Sequence, residues 1–217
     1  MSRHQLINPS GLPAPSGFSY AARTGEGRTV RPGEHVFLEI AGCYRRYHAA
    51  FMRTVVLGEL SESMFKAQER MKIALSEAKK LMRPGVTVSD VDNLVRKIIM
   101  ENDVGATLIT RSGYSIGIAF PPSWDEGYML SLKQADSSIL EEGMTIHLIP
   151  WMWGVDGDKA VGTSETLHIT ERGCESFFDM DEDFVCKPDA IVEPKQPDKT
   201  GAGKKDRKKE EPAEKKT

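Results

Sequence analysis

Leu81-Met82-Arg83-Pro84-Gly85-Val86-Thr87-Val88-Ser89-Asp90 decides how this chain is organised. Upstream of it, Ser61 to Met82 carries Met64, Phe65, Met71, Ala74, Ala78 and Leu81 at helical spacing. Arg83-Pro84-Gly85 stops that helix. Thr87-Val88-Ser89-Asp90 is a capping-box pattern with Asp in the acidic slot. It opens a second helix with Val91, Leu94, Val95, Ile98 and Ile99 on one face. The stretch is therefore the joint of a helix pair. Its apolar faces are core, and its methionines fill gaps.

Working outward, Val36 to Ile40 reads as a buried strand, with Glu39 set among apolar neighbours. A charged Glu there is costly unless it is paired, has a task or turns to solvent. Phe51 to Leu57 is a second strand, with Arg53 and Thr54 on opposite faces. After the helix pair the texture is β: Leu108 to Thr110, Gly117 to Phe120, Met144 to Ile149 and Ser164 to Thr170. Strands, two helices and more strands predict an α+β fold, a curved antiparallel sheet with helices on one face.

Gly113-Tyr114-Ser115-Ile116-Gly117 and Phe120-Pro121-Pro122-Ser123-Trp124 bring a phenol, flexible backbone and a Pro-fixed indole together. With Trp151-Met152-Trp153 and Ser164-Glu165-Thr166 they describe an aromatic cleft holding one carboxylate, suited to a small polar ligand. Core aromatics and turn residues are the alternative.

The chain has 217 residues, 39% of them hydrophobic, enough for one core. The net charge of -3 is unevenly spread. Residues 187–217 hold ten Lys/Arg against seven Asp/Glu, a +3 tail on a -6 body. An acidic body argues against a nucleic-acid-reading domain, and the Lys204–Lys209 run offers RNA at most a weak contact. Cys43, Cys174 and Cys186 form no zinc or disulfide framework. Met1 to Pro15 lacks an apolar signal segment, and no run approaches a membrane span. The expected location is cytoplasmic. The expected domains are an irregular segment 1–33, a body 34–186 and a disordered Lys/Glu/Pro-rich tail 187–217.

These motifs resemble the C-terminal catalytic domain of the creatinase/methionine-aminopeptidase superfamily, the pita-bread fold. The likeness runs through Phe37 to Tyr44, Met52 to Val55, Leu81 to Thr87, Glu142 to Thr145 and Ser164 to Thr170. Glu39 to His48, Gly113 to Gly117 and Pro121 to Trp124 are similar to bacterial ectoine hydrolases within it. The resemblance implies either a truncated copy or a missing layer that another chain supplies. A first helix pair is missing, and so is a catalytic histidine near Ala22-Arg23-Thr24.

It also implies that the five metal-ligand positions of the metallopeptidases fall on Glu39, Ala50, Tyr114, Ile149 and Ser164. Ala and Ile cannot ligate, so neither a metal nor another cofactor is expected. The implied activity is metal-free hydrolysis of a small cyclic C–N bond. Glu165 and Glu39 would do acid–base work, and Tyr114 would donate to developing charge. Trp124 and Trp151 would stack on a cationic ring. Arg53 would clamp a carboxylate, or else form a strand ion pair. Glu126 would face the cation, or else be a solvated loop carboxylate. The expected partners are a small zwitterionic substrate and a second copy in a homodimer. A non-catalytic binding module for peptide, protein or RNA is the competing reading, and a nonfunctional gene fragment a third.

Overall fold

A computed structural model describes residues 30–108, 110–119 and 123–180, and the backbone of 185–187. Two strands open it, β1 (His35–Tyr44) and β2 (Tyr47–Leu57), paired antiparallel along their length. Arg45 and Arg46 make the tight turn, both at positive φ. Then come α1 (Glu62–Leu81) and α2 (Val88–Met100). The strands β3 (Gly113–Ser115), β4 (Ser131–Leu132), β5 (Thr145–Leu148), β6 (Trp151–Val155), β7 (Lys159–Gly162), β8 (Glu165–Thr170), β9 (Gly173–Ser176) and β10 (Val185–Lys187) complete the order.

The helix pair forms as its sequence predicts. Ser61 caps α1 by accepting from the Met64 amide, and Thr87 caps α2 by accepting from Asp90. Such a cap is worth about 1 kcal/mol. Fully burying Val91, Val95 and Ile99 is worth about 2 kcal/mol each, so packing outweighs capping. The helices pack on Ile146, Leu148, Leu167 and Ile169, the alternate residues of β5 and β8.

The described strands form three sheets, β1-β2-β10, β4-β3-β5-β8-β9 and the two-stranded β6-β7. Met52 and Ser164 exchange backbone hydrogen bonds and join β2 to the start of β8. The path β1-β2-β8-β5-β3-β4 is thus continuous, helices on one face and Tyr114, His147, Ser164 and Thr166 on the other. This is the α+β pita-bread architecture expected. One helix pair is present among the described residues.

Differences lie in the irregular stretches. Leu108 to Thr110 was expected as a strand, but the pairing there is a single bridge between Thr107 and Trp153. Residues 117–119 form a bend, held by Glu126 accepting from the Ala119 amide. The β6–β7 hairpin was not foreseen; it turns on Gly154, Asp156 and Gly157, all at positive φ. The tail beyond Lys187, residues 1–29, Ile109 and Phe120 to Pro122 lie outside the described residues.

Candidate active site

Strand pairing assembles one polar group on the face away from the helices. Tyr114 on β3 lies opposite His147 on β5, and His147 lies opposite Thr166 on β8. Residues opposite one another share a face. The same rule puts Glu39 with Met52, and Met52 with Ser164.

A hydrogen-bonded chain crosses this face. The Trp124 indole N–H donates to the Tyr114 hydroxyl over 3.3 Å. An indole only donates, so Tyr114 accepts there, and its hydroxyl is also hydrogen-bonded to His147 Nδ1 at 2.7 Å. The other ring nitrogen, Nε2, shares a hydrogen bond with Ser164 Oγ at 2.6 Å. Burial pushes His147 down to about 3, helped by the positive charge of Arg111, so the ring is neutral at physiological pH. Burial also pushes the Tyr114 phenol far above its usual range, and the negative charge of Glu39 adds to this.

Glu39 is half-buried beside this chain. Its carboxyl is pushed up to about 7, mainly by burial and further by the neighbouring Asp125. Arg111 completes the group: its guanidinium lies 4.6 Å above the Tyr114 ring and pairs with Asp125. Trp151 extends the wall along β1, 4.8 Å from Phe37 and stacked at 5.2 Å on Trp153. Phe37 is two residues from Glu39 on the same strand face.

Of the residues singled out in the sequence, Glu39, Tyr114 and Trp124 come together, with Trp151 at their flank. Glu165 does not join them. One residue beyond Ser164, it turns to the helix side. There Oε2 meets Lys79 of α1 at 2.9 Å and Oε1 meets Arg53 at 3.4 Å. Arg53 is 4% exposed and also donates to the Met52 and Ser164 carbonyls. Both residues thus form a buried ion-pair cluster under the sheet rather than a carboxylate pair with Glu39. Glu126 is tied to the bend, accepting from the Ala119 amide at 2.7 Å.

Sequence reasoning missed His147, Arg111 and Asp125. Thr145-Ile146-His147-Leu148 held a signal for the first. Strict alternation puts Ile146 and Leu148 in the core and His147 on the opposite face. Arg111 and Asp125 meet through a loop closure that no periodicity reports.

The model of metallopeptidase family M24 matches residues 14–171. The chain is 36% identical over 159 residues to an ectoine hydrolase of Halomonas elongata, across 72% of this chain and 38% of that protein. It is 26% identical over 158 residues to a Xaa-Pro dipeptidase of Pyrococcus furiosus, across 73% of this chain and 43% of that one. The prolidase structure from Thermococcus sibiricus superposes with a TM-score of 0.66 at 24% identity, covering 74% of this chain and 42% of that one. The chain thus spans less than half the length of each.

A metallopeptidase family implies metal ions, and the residues here can be tested against them. The positions that the resemblance assigns to ligands hold Glu39, Ala50, Tyr114, Ile149 and Ser164. Two of the five are hydrocarbon. The Tyr114 hydroxyl and Ser164 Oγ are both bonded to His147. Among the described residues no three His, Cys, Asp or Glu are grouped to hold a metal ion. This donor set does not fit a metal pair.

Proposed function

The chain belongs to metallopeptidase family M24, and on that premise we propose that it is a hydrolase that opens a C–N bond of a small cyclic zwitterion, of the ectoine class, without a metal ion. The observation that carries this is Glu39, a carboxyl pushed up to about 7 on an aromatic wall. Near neutrality such a group is present in both protonation states, the condition for acid–base work. Ionised Glu39 takes a proton from water as the water oxygen bonds to the amidine carbon. Protonated Glu39 then gives that proton to the ring nitrogen as the C–N bond breaks. The 36% identity to an ectoine hydrolase supports the substrate class. Tyr114, hydrogen-bonded to both Trp124 and His147, holds the aromatic wall in place.

Ring opening is followed by NMR on millimolar cyclic amidine zwitterion. Wild type and Glu165→Gln at a temperature where both are folded are expected to yield product, and Glu39→Gln none. Unchanged turnover in Glu39→Gln overturns the mechanism.

One observation favours the binding-module reading. The second acidic side chain expected in the cleft, Glu165, is engaged with Lys79 and Arg53. Saturable binding with no product in wild type would carry that reading instead.

A further inference from the structure

A zwitterion needs a cation on the protein as well as a carboxylate, and Arg53 is spent on the helix side of the sheet. We infer that Arg111 is the specificity residue of this face of the sheet and takes the carboxylate end of the ligand. This rests on the reading of the ligand as a small zwitterion.

The guanidinium sits in a built cradle. It donates to Ser131 Oγ at 2.9 Å and pairs with Asp125. It lies 4.6 Å over the Tyr114 ring. A Cβ at Gly127 would fall on it, so the glycine keeps its seat open. Ser131 is itself held by donating to the Gly127 carbonyl at 2.7 Å. Arginine carries five N–H donors in a planar fork. Those on Ser131 and Asp125 leave others for a carboxylate, and the Arg111 side chain is 27% exposed. Arg53, at 4% exposure, offers no such access.

The charges are ordered to suit a zwitterion. Arg111 pairs with Asp125, and the negative charge of Asp125 acts on Glu39. A ligand whose carboxylate meets Arg111 directs its cationic ring toward Glu39, with Trp124 and Tyr114 as the wall. Asp125 competes for the same guanidinium, so it tunes affinity.

The test is calorimetric titration with two ligands, the cyclic zwitterion and its carboxamide analogue, which keeps the cation and lacks the carboxylate. Wild type is expected to prefer the zwitterion by about 10-fold or more, the size of a charge-assisted hydrogen bond. Arg111→Gln is expected to bring the two affinities level. Asp125→Asn is expected to widen the preference; the ratio cancels any effect on the cation, which both ligands share. Circular dichroism checks the fold of each variant. If Arg111→Gln does not fold, the Asp125→Asn ratio decides, and a preference no wider than wild type overturns the proposal. A folded Arg111→Gln that still prefers the zwitterion overturns the role of Arg111 alone. Wild type binding neither ligand overturns the substrate reading and this inference with it, and wild type binding both equally overturns this inference.

Discussion

Two titrating side chains on one face of the sheet work in opposite directions on stability. Glu39 has its folded carboxyl raised to about 7 from 4.5, so the folded chain holds its proton more tightly. That contribution is full below about 4.5 and is lost as pH rises toward about 7. His147 is lowered from 6.5 to about 3, so it favours folding at neutral pH and loses that contribution as pH falls from about 6.5 to about 3. Urea unfolding across pH is the check. Glu39→Gln is expected to gain stability over wild type between pH 5 and pH 7, with a constant difference above that. A parallel pair of curves would contradict the assignment. Glu165→Gln makes the opposite case. It strips the partner from buried Arg53 and from Lys79, and should lower stability by about 3 kcal/mol. A loss below about 1 kcal/mol would mean the cluster is solvated.

At this scale the sequence reported residue types better than directions. Glu39, Tyr114 and Trp124 announced themselves by chemistry, as a carboxylate in an apolar strand and aromatics between glycines and prolines. Glu165 and Arg53 also had the right chemistry. Their side of the sheet depends on register, and a shift of one residue exchanges the faces. Only the packing of α1 settles that Glu165 meets Lys79.

Among the elements, the helix pair was legible because its signals are local. The spacing of apolar residues, the Arg83-Pro84-Gly85 stop and the Thr87 cap all lie within a few turns. Gly85 has φ +88°, a conformation in which a side chain is strained. A Cβ there would meet nothing within 4 Å, so Gly85→Ala should cost backbone strain alone, about 1 kcal/mol. Thermal unfolding reads this, and a neutral or stabilising result would show that the joint relaxes. The β6–β7 hairpin was illegible for the converse reason. Trp151-Met152-Trp153-Gly154-Val155 lacks a polar alternation, because Met152 and Val155 are buried and Trp151 and Trp153 stack.

For the whole molecule, β1 is an edge strand of its sheet, and Leu38 and Ile40 are 46% and 51% exposed. A ten-residue edge with apolar side chains invites pairing. The chain is expected to self-associate through this strand. Light scattering should show a dimer in wild type and a monomer in the Leu38→Lys, Ile40→Glu double variant. A wild-type monomer at high micromolar concentration would remove the argument.

The claim that joins the scales is that Glu39, and not Glu165, serves the ligand. Fluorescence of Trp124, Trp151 and Trp153, the chain's three tryptophans, reports this aromatic wall directly. Titration with a cyclic amidine zwitterion is predicted to give a saturable change in wild type. Affinity should weaken about 10-fold in Glu39→Gln, which loses the charge facing the cation, and stay unchanged in folded Glu165→Gln. No change in wild type, or a loss confined to Glu165→Gln, would contradict the account.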